Sequence, residues 1–395
     1  MKNRALYLSG TFINGFGDGI QQVTMMWYIY QLTGKASSIG LMIAIYYLPS
    51  MILTPFVSVY VDHRVSKKLV VITDFIRFLL VFIMAASIFL NMESAAIFYS
   101  LQFLLAVCYT VYKPASQAFI KESFTDIEIP FVISKASSLN EAALIAGTGI
   151  SGVLLVKLSL TVSFLANALT FLIAALFFFY MKSVRVRETK NLKIVFIQEL
   201  NSGWKFINLH EGMKYLLFLS ILNSISIQMT TTIMLPLAMQ FGGSSELYSF
   251  FEMAFAVGGI LSGIVITYFL QQLERKIVLL TMGGMMTGAI LLAVMNAPSL
   301  AVFSIFVIGL FTMGHLVTIQ TLIQLNTPRE FIGRVVGLRT ILASFIKITS
   351  ALATGFLISE IGIKMILMTF AGMMFLSLFT FRKMKKVQIP GATYE

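Results

Sequence analysis

An all-α membrane protein of about twelve transmembrane helices in two six-helix halves is what three features of this sequence predict. The first is composition. The chain has 395 residues, 58% hydrophobic and 12% charged, with a mean hydropathy of +0.88, whereas a soluble domain carries about twice that charged fraction. The second is length: apolar runs of ~20 residues recur from end to end, each long enough to cross a hydrocarbon core of ~30 Å as a helix, the form that satisfies its own backbone in lipid. The third is charge distribution, since the formal net charge of +12 falls at the start, in alternate loops and at the end.

The spans are read near 5–31, 38–60, 69–91, 95–119, 130–156, 160–181, 213–240, 246–270, 277–296, 299–324, 335–358 and 363–381. Met1-Lys2-Asn3-Arg4 has the charge pattern of a signal peptide. The apolar run behind it is too long, contains Asp18 and lacks an A-x-A-like cleavage site, so it is retained as the first span. Cys108, the single cysteine, falls in the fourth span and leaves no intramolecular disulfide. Lys2 and Arg4 precede the first span. Arg64, Lys67, Lys68 and Lys121 follow the second and fourth, and Lys182 to Lys193, Arg275, Lys276, Arg329, Arg334 and Arg382 to Lys386 continue the alternation. The positive-inside rule then places both termini in the cytoplasm, and the basic loops serve topology and anionic-lipid contact rather than nucleic acid. Residues 182–212 differ from the other connections. They are polar and basic, with an amphipathic piece at Leu192–Leu200 and Trp204 beyond it, which reads as an interfacial helix. The expected organisation is an N-terminal bundle at 1–181, a cytoplasmic linker at 182–212, a C-terminal bundle at 213–382 and a tail at 383–395. Two six-helix halves meeting across a midplane site is a transporter layout.

After the second span stands Ser58-Val59-Tyr60-Val61-Asp62-His63-Arg64-Val65-Ser66-Lys67-Lys68, with Asp74-Phe75-Ile76-Arg77 downstream. This is similar to the loop signature of the major facilitator superfamily: glycine, three residues, Asp-Arg, then a basic cluster, with Ser58 here at the glycine. Tyr112-Lys113-Pro114-Ala115-Ser116-Gln117-Ala118 and Asn326-Thr327-Pro328-Arg329-Glu330-Phe331-Ile332-Gly333-Arg334-Val335 resemble the efflux branch that contains macrolide-efflux proteins and the enterobactin exporter. The fifth span departs from that branch, with Gly147-Thr148-Gly149-Ile150-Ser151-Gly152 where a Gly-Pro pair is usual, and Leu273-Glu274-Arg275-Lys276 is only a remnant of the first loop. The resemblance implies the major facilitator fold, secondary active transport, and a cavity lined by the first, fourth, seventh and tenth spans. Asp18, Lys113, Asn223 and His315 would stand there. It also implies a cytoplasmic gate at Asp62, Arg64, Asp74, Arg77 and Arg334, a charge relay that holds one state closed, in which Asp62 could meet Arg64, the basic cluster or a partner at the eleventh span's start such as Arg334 or Arg339; interfacial ion pairs that are partly wet are cheap to make and break.

The costliest residue is Asp18, in the stretch Gly15-Phe16-Gly17-Asp18-Gly19-Ile20-Gln21-Gln22. A carboxylate at the centre of a membrane helix costs about 2.5–3.5 kcal/mol on insertion scales, and its flanking glycines lower helix propensity further. Counting rise per residue, Asp18 lies about 20 Å, Glu141 about 15 Å and Lys347 about 18 Å from the cytoplasmic ends of their spans, with His315 about 24 Å from its outer end. Lys113 and Glu252 lie only about 10 Å and 8 Å from water and can snorkel. Polar companions share helix faces with these charges: Asn14, Gln21 and Gln22 with Asp18, Tyr109 and Gln117 with Lys113, Ser134 and Ser138 with Glu141, and Ser344 with Lys347. Such stripes point to a wet cavity.

Asp18, Glu141 and His315 are therefore the proton-coupling candidates. Asn14, Gln21, Gln22, Tyr109, Lys113, Gln117, Asn223 and Lys347 are the candidates for the substrate cavity. A static Asp18–Lys113 pair, a Glu141 pair with Lys135 or Lys113, and a His315 that merely packs are the structural alternatives. Lys113, His315 and Lys347 would together favour a negatively charged, siderophore-like metabolite, since a lysine left unpaired in low dielectric gains most from an anion. Broad drug or macrolide efflux and nutrient import are the alternatives.

No G-x-x-x-x-G-K-[ST], H-E-x-x-H or C-x-x-C occurs. ATP-driven transport would need another subunit, a metal site is not expected, and an enzyme is disfavoured. The expected partners are a small-molecule substrate, protons and the lipid bilayer, with no cofactor and no nucleic acid, for a chain working as a monomer in a bacterial plasma membrane.

Overall fold

The computed structural model describes residues 2–62, 64–182, 196–273, 276–328 and 331–379. All regular structure among them is helical: α1 (Lys2–Thr33), α2 (Ala36–Asp62), α3 (Ser66–Phe89), α4 (Ala95–Ser123), α5 (Ile129–Lys157), α6 (Leu160–Tyr180), α7 (Phe196–Leu209), α8 (Glu211–Gln240), α9 (Ser245–Leu273), α10 (Lys276–Val294), α11 (Pro298–Leu325) and α12 (Ile332–Leu378). The expected eleventh and twelfth spans run together as the 47 residues of α12. They are separated by one backbone break at Gly362, whose φ of 75° is the left-handed conformation that glycine adopts without steric cost. With α7 set aside as too short to span, and α12 divided at Gly362, the helices correspond one to one with the twelve expected spans. Nine of the described helices are long and apolar enough to cross a membrane. α1 is not among them, because its middle holds the polar run from Asn14 to Gln22.

The chain divides into two compact units. One is Met1–Ile194 with Ser245–Ser249, and the other is Val195–Ser244 with Phe250–Glu395. In the first, α1 packs along α5 and α6, α3 along α6 and α4, and α2 along α4. The glycines around Asp18 have a positive role here. A Cβ at Gly19 would strike the carbonyl oxygen of Leu144, one at Gly147 would strike that of Phe16, and one at Gly15 would stand 2.7 Å from Asn140 Oδ1. These small residues let the α1 and α5 backbones touch, and close van der Waals approach drives helix association in lipid. Two aromatic clusters flank this contact. Tyr28, Phe98, Phe164 and Phe171 form one, with Tyr28 and Phe98 centroids 4.4 Å apart, and Tyr7, Phe119, Phe124 and Phe178 form the other.

In the second unit α10 packs on α11 and α12, and α8 on α12 and α11. Residues 192–195 of the expected amphipathic piece lie outside the described residues, as does the tail at 383–395. The helix that follows, α7, docks on α12 and α8: Phe206 stacks on Phe331 at 4.9 Å between centroids, and Arg334 lies 5.4 Å from the Phe331 ring.

The helices of the third expected span in each half, α3 and α10, match in sequence and in burial. Lys68-Leu69-Val70-Val71-Ile72-Thr73 and Lys276-Ile277-Val278-Leu279-Leu280-Thr281 open them. Thr73 and Thr281 each bond the carbonyls three and four residues earlier. The buried positions 70, 73, 74, 77, 80, 81 and 84 of α3 recur as 278, 281, 282, 285, 288, 289 and 292 of α10. Within this common frame Asp74 and Arg77 are replaced by Met282 and Met285.

Candidate functional site

Arg77 is the centre of the polar core of the first unit. It sits eleven residues beyond Ser66 in α3, about 16 Å along the helix, and Asp74 about 12 Å. That is well inside the span, so neither residue stands at the helix end with Arg64, where the loop signature implied a gate. The Arg77 guanidinium pairs with Asp18 of α1 through Nη2 and with Asp74 through Nη1 at 3.2 Å. Asn14 ties the group together: its amide nitrogen donates to both Asp74 oxygens at 3.0 Å, and its oxygen accepts from Arg77 Nη1 at 2.8 Å. The plane of the guanidinium is covered by Phe171 of α6 at 3.9 Å, with Tyr112 at 5.5 Å and Tyr109 at 5.9 Å from α4. A planar fork presenting five donors suits two carboxylates and an aromatic face better than an ammonium would.

The group is unevenly open. Side-chain exposure is 0% at Asp74, 5% at Arg77 and 30% at Asp18, so Asp18 alone keeps a side free. The alternative Asp18–Lys113 pair is not formed, because Arg77 occupies the carboxylate; Lys113 and Gln117 are exposed on α4. Further along α1, Gln21 accepts from Asn167 of α6 and its nitrogen lies 3.8 Å from Met84 Sδ, while Gln22 is half-buried. Tyr109 packs on Tyr46 at 5.8 Å. Glu141 is exposed on α5 and makes no ion pair with Lys135 or Lys113.

The sequence-predicted residues of the second unit divide differently. His315 is fully buried in α11. Its Nδ1 shares a 2.8 Å hydrogen bond with Thr281 Oγ1, and its Nε2 makes no hydrogen bond to the described residues. Asn223 is buried in α8 with Oδ1 unpartnered, one turn from Ser226, which bonds Thr312 at 2.9 Å. Lys347 is half-buried in α12. Of the expected gate, Arg64 is exposed and lies 5.6 Å from the Tyr60 ring, Asp62 closes α2 with its side chain outside the described set, and Arg334 belongs to the Phe331 stack. Outside the spans, Arg4 fastens the start of α1 to Glu128 at the head of α5, with 2.6 Å between Arg4 Nη2 and Glu128 Oε1. The Thr125 backbone N–H, Arg4 and the Thr125 hydroxyl hold the Glu128 carboxyl down to about 2.

Sequence reasoning missed Asp74 and Arg77 as mid-membrane charges. The signal was present, since the rise-per-residue count applied to Asp18 places Arg77 at comparable depth.

Helices in two units, nine of the described ones long and apolar enough to cross a membrane, are those of a multi-pass membrane protein, and the family to which it belongs makes it a transporter. The chain belongs to the Major Facilitator Superfamily, whose model matches residues 7–346 and 216–392. Macrolide efflux protein A of Streptococcus pyogenes is 22% identical over 338 residues, covering 84% of this chain and 83% of the relative. Among solved structures, the nucleoside transporter NupG superposes with a TM-score of 0.81 at 14% identity over 98% of this chain and all of that one. A bacterial homologue of the human lysosomal transporter Spinster, in an inward-facing and unoccupied conformation, gives 0.75 at 11% identity, covering 98% and 97%. At these identities the two structures are alike in fold.

Proposed function

We propose that this chain exports a small organic molecule from the cell by antiport against protons, and that the Asp18–Arg77–Asp74 group is the coupling site. The observation that supports the reading is a charge count. Two carboxylates share one guanidinium, and the other close polar partner, Asn14, is neutral. With both acids ionised the group carries one surplus negative charge in a medium where unbalanced charge is costly. A proton on Asp18, the one member with an open side, removes the surplus. Alternate exposure of that side to the two faces of the membrane would load and release the proton. In this reading both termini are cytoplasmic, Asp62, Arg64 and Arg334 form the cytoplasmic gate, and the chain works as a monomer.

Export is favoured by the macrolide-efflux relative. The favoured cargo is an acidic metabolite of siderophore type, in keeping with the cationic side chains of the second unit. Drug or macrolide efflux is the alternative that the same relative supports, and proton-coupled uptake is the alternative suggested by the fold shared with a nucleoside transporter. The test uses inside-out vesicles with an imposed pH gradient and a labelled substrate panel containing a macrolide, a nucleoside and a tricarboxylate. Wild type accumulates its substrate only with the gradient, and Asp18→Asn, which keeps hydrogen bonding but loses titration, does not. Full gradient-driven accumulation by Asp18→Asn would remove Asp18 from the coupling role.

A further inference from the structure

We infer that Arg339 of α12 is an anion-recognition site, the group that receives a carboxylate or phosphate of the transported molecule. The inference rests on the export reading above and assigns a substrate class to it.

Arg339 lies seven residues into α12, about 10 Å along the helix, and is half-buried. Its Nε donates to Ser220 Oγ of α8 at 2.9 Å, and Ser220 is itself buried. That is its one bond to a described residue, and it uses one of five donors and none of the charge. Among the described side chains of the helices packed on α12, no acid stands at this level. α10 and α11 contain no Asp or Glu at all, α8 has only Glu211 at its first position, and the only acid of α12 is Glu360, twenty-one residues further on. The contrast with the first unit is direct: Arg77, about 16 Å into its own helix, is balanced by two carboxylates. A guanidinium taken from water without a partner is costly, and its two terminal nitrogens form a fork that matches a carboxylate or phosphate bidentately. Ser220 fixes the near end of that fork and leaves the far end for a ligand. Arg339 therefore supplies the positive charge that the sequence suggested for Lys113, His315 and Lys347, of which Lys113 is exposed and His315 is tied to Thr281.

The test uses the full chain in nanodiscs and two dyes, 5-carboxyfluorescein as the anion and rhodamine 6G as the cation, with binding read by anisotropy. Wild type is expected to bind carboxyfluorescein, and Arg339→Gln to weaken that binding at least about tenfold, the scale of a lost hydrogen bond to a charged group, without weakening rhodamine 6G. Arg339→Lys should restore part of the affinity, and Ser220→Ala should cost less than Arg339→Gln. Arg339→Gln should also melt no lower than wild type, because it removes an unbalanced charge. The inference is overturned if wild type and Arg339→Gln bind carboxyfluorescein equally or not at all, if Arg339→Gln melts well below wild type, or if phosphatidylglycerol added to phosphatidylcholine discs abolishes dye binding, which would make this a lipid-phosphate site. Arg339-dependent binding without gradient-driven movement of carboxyfluorescein in inside-out vesicles would leave the inference standing and count against export.

Discussion

Removing Arg77 should damage the protein far more than removing either of its acids. Arg77→Gln leaves Asp18 and Asp74 facing one another with no cation, and it strips Asn14 of a donor and Phe171 of the guanidinium 3.9 Å from its ring. Breaking a buried pair by deleting one partner costs about 3–5 kcal/mol, most of it the penalty of the charge left behind. For a unit of 150–250 residues each kcal/mol moves the melting temperature by about 2–4 °C, so Arg77→Gln should melt roughly 6–20 °C below wild type. Asp74→Asn keeps a hydrogen-bonding group beside Asn14 and leaves a balanced Asp18–Arg77 pair, so it should stay within about 1 kcal/mol of wild type. The triple variant Asp18→Asn, Asp74→Asn, Arg77→Met removes charge from all three positions and should recover most of the loss, as replacement of a whole buried ion group often does. The assay is thermal unfolding of purified protein in detergent, followed by intrinsic fluorescence. An Arg77→Gln protein melting within 2 °C of wild type, or an Asp74→Asn protein as unstable as Arg77→Gln, would refute the charge balance.

Three further outcomes follow from the geometry. Gly147→Leu should separate α1 from α5 and cost about 1–3 kcal/mol through overpacking. Gly372→Leu, at a position with nothing within 4 Å of the added Cβ, is the control, and equal melting of the two variants would contradict the contact. Thr281→Val leaves His315 without its Nδ1 partner and should cost about 1–3 kcal/mol, more than Thr73→Val, whose hydroxyl bonds only carbonyls of its own helix; the melting temperatures of the pair decide it. Glu128 is held at about 2, below the ordinary 4.5, so its contribution is full above about 4.5 and is lost as pH falls toward 2. The melting difference between wild type and Glu128→Gln should therefore shrink between pH 6 and pH 3, and growth of that difference on acidification would overturn the assignment.

The spans were legible because one physical quantity, the thickness of the hydrocarbon core, sets the length of every apolar run. Even so, the absence of a loop at Gly362 was not, since two spans joined by one glycine and two joined by a short turn have the same hydropathy. Asp18 was legible as a cost. Its partner was not: Asp18 and Arg77 are 59 residues apart, and which helices become neighbours is decided by packing. The glycines beside Asp18 were read only as lost propensity, although their spacing of four on one helix face also marks a surface where another backbone can approach. The alternative pairing of Asp18 with Lys113 shows the same limit from the other side: position on a helical face does not say which neighbouring helix supplies the partner, and here α3 does.

The match between α3 and α10 has a consequence for how such a protein can change. Where one copy of the frame holds Asp74 and Arg77, the other holds Met282 and Met285, both fully buried. Substitution in the first copy is electrostatic: removing Arg77 strands both carboxylates, so a viable change at that position must be accompanied by changes at the acids. Substitution in the second is steric, and an unbranched thioether adjusts its shape to whatever lies beside it. A repeated frame thus ties the guanidinium of one half to its acids and leaves the matching positions of the other free to change by single steps.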